Sequence, residues 1–473
     1  MKIFKSAILT MLMTIFTSAT IFAEPIPLRG VVEGFYGNQW TFEQREDLMK
    51  FSRSHNLNAY IYAPKDDIFH RNKWREPYPT EKIFELQKLV EVAKSNGVRF
   101  IFAVSPGLDL NYKGKKGDAD FNLFMQKLES MYKIGVRDFA IFFDDLKDDK
   151  GNHHENGKDQ AEFINKVQNE LRKNHKDIGQ ILTVPTEYLR LDMVNGRGKV
   201  KSYTKDFAEN LDKKIVVLYT GDGVVCDGIS EESMSEVNEI FGRQVGIWWN
   251  YPVNDYSMTD DGERNAKLAL GAIEKLPAEN VQAIFFNPMS QPLLSRIALS
   301  TGADYANNPA NYDTEKSFDK ALSEQFGELA PAMKIFAEHS QHMENSWAKV
   351  GPDDGRTFNT LAYLVLNATK NGRNADFSSL EKEIDSMEKA VNILLEKLPD
   401  NILSECSLQL QQFDRIIQAD KLALKSLRDK KLDGKLKTLR DDISKHEKNA
   451  ILSEKSALKF IDDTIELLDN KKR

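Results

Sequence analysis

Eight short apolar runs punctuate the first 290 residues, each followed by a loop of Gly, Pro, Asp or Asn and a charged stretch with helical apolar spacing. They are 28–36 (LRGVVEGFY), 58–63 (NAYIYA), 98–105 (VRFIFAVS), 138–144 (DFAIFFD), 180–185 (QILTVP), 214–220 (KIVVLYT), 244–250 (QVGIWWN) and 281–287 (VQAIFFN). Runs that are apolar on both faces are the mark of parallel strands covered on both sides. Helices are predicted between them, among others over 41–54, 81–95, 120–132 and 159–174. In 81–95 the residues Ile83, Leu86, Leu89, Val90 and Ala93 recur at three- and four-residue steps and give one apolar face to lay on a sheet. Eight such βα units in about 260 residues match the count and size of a (β/α)8 TIM-like barrel. A doubly wound open sheet leaves a similar pattern, and the barrel is preferred.

The pattern changes after residue 303. The segment 304–313 (DYANNPANYD) reads as a loop, strand-like runs then stop, and 351–356 (GPDDGR) reads as a turn. Residues 401–473 contain no Pro, Trp or Tyr and one Gly, with abundant Leu, Ile, Lys, Asp and Glu, the composition of an antiparallel helical bundle. The expected organisation is a signal peptide over 1–23, a catalytic barrel over 24–303 and an α-helical C-terminal domain over 304–473.

At the N-terminus, Lys2 and Lys5 precede the apolar run 7–16, which is too short to span a bilayer and leads to small residues and Ala23. A secretory signal peptide cut near Ala23 and Glu24 is expected, and no lipid anchor, since residues 1–30 contain no Cys. No later segment approaches 18 uninterrupted apolar residues, so a secreted or periplasmic chain with no membrane insertion after cleavage is expected. With 72 acidic against 65 basic side chains the net charge is -7, which argues against nucleic acid as a partner. The two cysteines, Cys226 and Cys406, can form neither a disulfide framework nor a Cys-based zinc site and are expected as free buried thiols.

In a (β/α)8 barrel the chemistry sits where the strands end. Those positions are Gly34, Phe35 and Tyr36; Lys65, Asp66 and Asp67; Asp144 and Asp145; Glu187 and Tyr188; Asp222; Trp248, Trp249 and Asn250 with Asp255 soon after; and Asn287. Asp-Asp occurs seven times in the chain, so the dipeptide alone carries no information. Asp144–Asp145 differs by following Phe139 to Phe143 directly, which puts two carboxylates in a poorly solvated mouth. Like charges there cannot both ionise freely, so one carboxyl is expected to be raised, as a general acid requires; an N-cap or a solvated loop is the plainer alternative. A divalent metal on these carboxylates or on nearby Asp148–Asp149 is disfavoured because the strand ends supply no imidazole, and His55, His70, His153 and His154 read as solvated. Amides, carboxylates and tryptophans together suit a sugar better than a phosphate, and of Trp248 and Trp249 alternation lets only one meet a ligand. Taken singly, Lys65 and Asp255 read equally as solvated charges, Tyr188 as a rim residue, and Asn250 and Asn287 as turn formers.

The segments GVVEGFYG (30–37), YIYAPKDD (60–67), FAIFFDD (139–145), VPTEY (184–188), WWNYPVNDY (248–256) and IFFNPMSQP (284–292) occur in this order. Together they resemble glycoside hydrolase family 84, the β-N-acetylglucosaminidases that include protein O-GlcNAcases and bacterial relatives labelled hyaluronidases. The resemblance implies a retaining, substrate-assisted mechanism in which the 2-acetamido oxygen of the sugar attacks the anomeric carbon and forms an oxazoline. It implies that Asp144 binds the acetamido N–H and that Asp145 protonates the leaving oxygen and then acts as base. It further implies Tyr188 on the acetamido oxygen, Trp248 as a wall of the N-acetyl pocket, Gly34 (through its carbonyl) and Lys65 at the 3-hydroxyl, and Asn250, Asp255 and Asn287 at the remaining hydroxyls. The expected substrate is a glycoconjugate with terminal GlcNAc, and neither a cofactor nor a metal is expected. Hyaluronan or chito-oligosaccharide cleavage is the alternative within the class, and a GlcNAc-binding barrel without catalysis the alternative outside it.

Overall fold

The computed structural model describes residues 24–146, 156–257, 265–274, 276–344 and 349–470. The expected signal peptide, Asp148–Asp149, His153 and His154 lie outside the described residues.

Each of the eight apolar runs contains one strand: β1 (Leu28–Glu33), β2 (Ala59–Tyr62), β3 (Arg99–Val104), β4 (Asp138–Phe142), β5 (Ile181–Val184), β6 (Val216–Tyr219), β7 (Gly246–Trp249) and β8 (Ala283–Phe286). All neighbours are parallel, and β1 pairs with both β2 (Gly30 opposite Ala59) and β8 (Leu28 opposite Ala283), so the sheet closes into a (β/α)8 barrel. The period of two along a strand sorts the side chains into two cores. Val32, Ile61, Ala103, Phe142, Leu182, Leu218, Trp248 and Phe285 fill the barrel interior. Val31, Tyr60, Phe102, Ile141, Val217, Ile247, Trp249 and Phe286 face the surrounding helices.

The helix Phe42–Ser54 starts at a capping box, in which the Thr41 hydroxyl accepts from the Gln44 N–H and the Gln44 side chain accepts from the Thr41 N–H. Thr80–Ser95 and Gly157–Asn174 lie where the apolar spacing predicts them. Gly114–Lys133 begins six residues ahead of the predicted start, because its first turn and a half is polar and carries no apolar periodicity. The expected loop 304–313 is shorter than its composition suggests. Helix Pro292–Asn307 continues through Asp304, whose carboxylate accepts from Ser317 and Lys320 of the next helix, and a 3-10 turn Pro309–Asn311 follows.

The C-terminal part is helical, with Phe377–Lys397, Asp400–Arg428 and Ala457–Asn470 packed together. It also holds a short antiparallel pair, Met343–Glu344 with Lys349–Val350, where no strand was expected. This part is tied to the barrel by the Ile451 N–H on the Ala266 carbonyl (2.8 Å), the Gln409 amide on the same carbonyl (3.0 Å) and a Lys267–Glu454 ion pair (2.9 Å). No helix among the described residues is long and apolar enough to cross a membrane.

Candidate active site

The C-terminal ends of the strands open into a cavity of about 830 Å³. All nine residues singled out from the sequence line it: Gly34, Lys65, Asp144, Asp145, Tyr188, Trp248, Asn250, Asp255 and Asn287.

Asp144 and Asp145 follow β4, where the backbone leaves the barrel through a left-handed residue, with Asp145 at φ 53. The Lys65 ammonium, presented by the loop after β2, bonds to Asp144 Oδ2 and lies 3.3 Å from Asp145 Oδ2. Asp145 receives two more donors, the hydroxyls of Tyr36 on Oδ2 and Tyr188 on Oδ1, each at 2.9 Å. Asp144 Oδ1 is buried and has no hydrogen-bond partner among the described residues.

Asp145 is not the raised carboxyl that the sequence led us to expect. Burial pushes Asp145 up, but Lys65, the two phenols and Arg71 outweigh it and hold it at about 2. The Lys65 ammonium, delivered from after β2 and two strands away from β4, lies between the two carboxylates and offsets their repulsion. Burial likewise opposes the charge on Lys65, and Asp144 and Asp145 overcome it, so the ammonium is held above the ordinary lysine value. Tyr188 is pushed up by burial and by both carboxylates, which keeps its hydroxyl protonated and donating. Asp255, half-buried in the segment after β7, is also raised, chiefly by desolvation, while its Oδ2 accepts from the Tyr36 N–H at 2.9 Å.

The opposite wall is a network of amides. Asn287 Oδ1 accepts from the Gly34 N–H (3.3 Å), Asn287 Nδ2 donates to Asn250 Oδ1 (2.9 Å), and Asn250 Oδ1 also accepts from Trp248 Nε1 (2.8 Å). Asn250 Nδ2 donates to the Val224 carbonyl (2.8 Å), so this side chain is a bracket for Trp248 and Asn287 with one N–H left over. Trp248 packs edge-on against Phe142 with ring centroids 5.4 Å apart, while Trp249 points to the helices, as the alternation requires.

Tyr36 and Asp66 also line the cavity, whereas three other strand-end candidates are structural. Glu187 is buried and accepts from Thr204 at 2.5 Å, Asp222 is paired with Arg190 at 2.6 Å, and Asp67 accepts from the hydroxyls of Tyr62 (2.7 Å) and Tyr78 (2.9 Å). The solvated reading of the histidines fails for His70. Its ring is fully buried, Nδ1 lies 2.8 Å from the Ala103 carbonyl, and burial lowers its pKa to about 4. His55 is half-buried and stacks on Phe51 at 4.0 Å. No group of three or more His, Cys, Asp or Glu side chains suited to a metal ion occurs among the described residues. Both cysteines are free, Cys406 buried and Cys226 partly so. Arg71 was not foreseen; it lines the cavity six residues after Lys65 on the same loop. The only sequence signal was a second cation close to the first.

Paired carboxylates, phenols, amides and one tryptophan gathered at the strand ends of this barrel suit a glycoside hydrolase. The family model described as beta-N-acetylglucosaminidase matches residues 29–338, and one described as hyaluronidase post-catalytic domain-like matches residues 360–461. The chain belongs to glycoside hydrolase family 84, the β-N-acetylglucosaminidases. Among solved structures, that of CpGH84B is similar at 35% identity and a TM-score of 0.83, over 93% of this chain and 77% of that one. A mutant of the Thermobaculum terrenum O-GlcNAc hydrolase is similar at 27% identity and a TM-score of 0.78, over 94% and 97%. The Protein O-GlcNAcase of Rattus norvegicus is 32% identical over 293 residues, 60% of this chain. The match spans 30% of the length of that relative.

Proposed function

We propose that the chain is an exported, retaining exo-β-N-acetylglucosaminidase that removes terminal β-linked GlcNAc from glycoconjugates by substrate-assisted catalysis. The observation that carries this reading is Asp144. One of its oxygens is bonded to Lys65, and the other is a buried acceptor with no donor among the described residues. An acceptor in that condition gains most from an incoming N–H, and the acetamido group of the substrate supplies one. With its N–H held by Asp144, the acetamido oxygen attacks the anomeric carbon and closes an oxazoline while the bond to the aglycone oxygen breaks. Asp145 gives its proton to that oxygen, then takes one from water as water opens the oxazoline on the same face. Configuration is retained and no protein nucleophile is needed.

Asp145 must be protonated for the first step, although it is held at about 2 by its neighbours. The proposed exchange of partners resolves this. Tyr188 turns its proton to the acetamido oxygen and leaves Asp145 with one donor fewer. The sugar thickens the cover over the carboxyl, and both changes raise its pKa. The third ammonium hydrogen of Lys65 is left for the 3-hydroxyl beside the Gly34 carbonyl. Asn250, Asn287 and Asp255 close the far end around one terminal sugar, which favours exo action. Export is proposed from the N-terminal sequence, with Glu24 as the mature N-terminus.

The test is hydrolysis of aryl N-acetyl-β-glucosaminides with good and poor leaving groups, by the wild type, Asp144→Asn and Asp145→Asn, with and without chelator, with the product anomer read by NMR. The expected result is chelator-insensitive release of β-GlcNAc. Asp145→Asn should lose most activity on the poor leaving group and Asp144→Asn on both. Sugar binding with no turnover by the wild type would overturn the reading in favour of a binding barrel.

A further inference from the structure

The loop after β2 carries two cations to the Asp144–Asp145 turn, and only Lys65 has a role so far. The loop is anchored beneath the cavity. Asp67 accepts from Tyr62, Tyr78 and the Phe69 N–H, and the buried His70 ring is bonded to the Ala103 carbonyl. From this base the buried Arg71 guanidinium forks: Nη2 donates to the main-chain carbonyl of Asp145 (2.8 Å) and Nη1 to the hydroxyl of Tyr36 (3.0 Å). Arginine can only donate. The Tyr36 oxygen is therefore the acceptor of that bond, and its single proton is directed to Asp145 Oδ2 at 2.9 Å. One side chain thus governs Asp145 at both ends, its carbonyl directly and its carboxylate through Tyr36. The Asp145 backbone is in the left-handed region, at φ 53, which Asp enters more readily than most residues and which the Arg71 bond to its carbonyl helps to hold.

We propose that Arg71 is a positioning residue for Asp145, fixing its left-handed turn and, through Tyr36, the direction and proton affinity of its carboxyl. The inference extends the reading of Asp145 as acid and base, and rests on it. The charged and titratable groups facing that carboxyl are Lys65 and Arg71 from the loop after β2, Tyr36 after β1, Tyr188 after β5, Asp255 after β7, and Asp144 beside it. Loss of Arg71 removes one of the two cations and frees Tyr36 to turn its proton elsewhere, so the carboxyl binds its proton more tightly and points less well.

The experiment compares wild type, Arg71→Met, Arg71→Lys, Tyr36→Phe and Asp145→Asn on aryl N-acetyl-β-glucosaminides with good and poor leaving groups, each over a pH series. Arg71→Met is expected to lose about tenfold or more in kcat on the poor leaving group and less than about threefold on the good one, with KM within about twofold. The alkaline limb of kcat, where the acid loses its proton, is expected to move up by about one pH unit. Tyr36→Phe, which keeps the Arg71 bond to the main chain, should move the limb in the same direction. Arg71→Lys should recover part of the rate, because one ammonium can serve one of the two acceptors but lacks the fork. An unmoved limb in both Arg71→Met and Tyr36→Phe, with equal losses on both leaving groups, would overturn the inference while Asp145→Asn still discriminates between them. If Asp145→Asn itself shows no discrimination, it is the acid–base reading that falls.

Discussion

The ring of Trp248 stands over the bare Cα of Gly34: a methyl carbon built there would lie 2.3 Å from Cζ2 and 2.6 Å from Cη2. Trp248 cannot easily yield, since Asn250 holds its indole N–H and Phe142 meets its ring edge-on. Gly34→Ala is therefore expected to displace the tryptophan from the cavity wall at a stability cost of about 1–3 kcal/mol. KM for an aryl N-acetyl-β-glucosaminide should rise, and thermal unfolding should show the lower Tm. A wild-type KM in a destabilised Gly34→Ala enzyme would remove Trp248 from substrate binding.

Lys65 sets the charge of the aspartate pair. Its replacement by Met leaves two adjacent carboxylates beside a buried wall with no ammonium between them. In the wild type Asp145, held at about 2, lies below its ordinary value near 3.8, so it adds stability above about pH 4 that is lost as the pH falls through about 2. In Lys65→Met, burial, the largest influence on Asp145, loses its largest opponent and only the two phenols and Arg71 still oppose it, so the carboxyl is expected to rise above its unfolded value and the sign to reverse. The variant should be about 3–5 kcal/mol less stable at pH 7 and should recover as the pH falls toward 4. Denaturant unfolding at pH 7, 5.5 and 4 measures this, and a deficit that does not shrink with acid would refute it.

The barrel was legible because each strand is apolar on both faces, as in VRFIFAVS and VQAIFFN, and that pattern suits parallel strands under helices. Period two let only one of Trp248 and Trp249 face the interior, the family resemblance pointed to Trp248, and the structure puts Trp248 inside and Trp249 against the helices. The nine cavity residues were legible because seven lie within three residues of a strand's last residue, Tyr188 four beyond β5 and Asp255 six beyond β7. What the linear order hides is lateral reach. Nothing near FFDD announces that a cation from after β2 will settle between its carboxylates, so the pair was read as mutually repelling. Arg71 and His70 sit in a loop without periodicity, and their burial depends on the carbonyls of Asp145 and Ala103, which come from the turn after β4 and from β3. Asn and Pro in 304–313 suggested a loop, yet Asn307 ends the helix by donating to the carbonyls of Ala303 and His55.

Asp420 is fully buried in helix Asp400–Arg428, and neither of its carboxyl oxygens has a hydrogen-bond partner among the described residues. Burial raises its pKa well above the ordinary value, which favours the protonated form in the folded chain. A carboxyl raised on folding subtracts stability once the pH exceeds its unfolded value, and increasingly so until the folded pKa is reached. Asp420→Asn, which cannot ionise in either state, should therefore be more stable than the wild type by a margin that widens from pH 5 to pH 8. Asp420→Leu should gain a further ~1 kcal/mol by removing the unpaired polar atoms. Equal margins at both pH values would show that Asp420 is not protonated in the fold.

Glu405 joins the helical part to the barrel at a helix start. Pro292 occupies the first position of helix Pro292–Asn307 and has no N–H, so the first free donors are those of Leu293 and Leu294; Glu405 accepts from them at 3.1 and 2.8 Å. These bonds and the Arg296 charge favour the carboxylate, but burial outweighs them and the carboxyl is pushed up to about 7. Its unfolded value is near 4.5, so the wild type should lose stability between about pH 4.5 and 7 and no more above that, by at most about 3 kcal/mol. Glu405→Gln keeps a carbonyl acceptor for the helix but does not titrate. It should match the wild type near pH 4.5 and exceed it increasingly up to about pH 7, with a constant margin beyond. Glu405→Ala should be weaker at every pH, since it leaves both N–H groups without their acceptor. If instead the wild type gains on Glu405→Gln as the pH rises, attraction between carboxylate and helix terminus outweighs burial at this junction, and the docking of the two parts strengthens with pH.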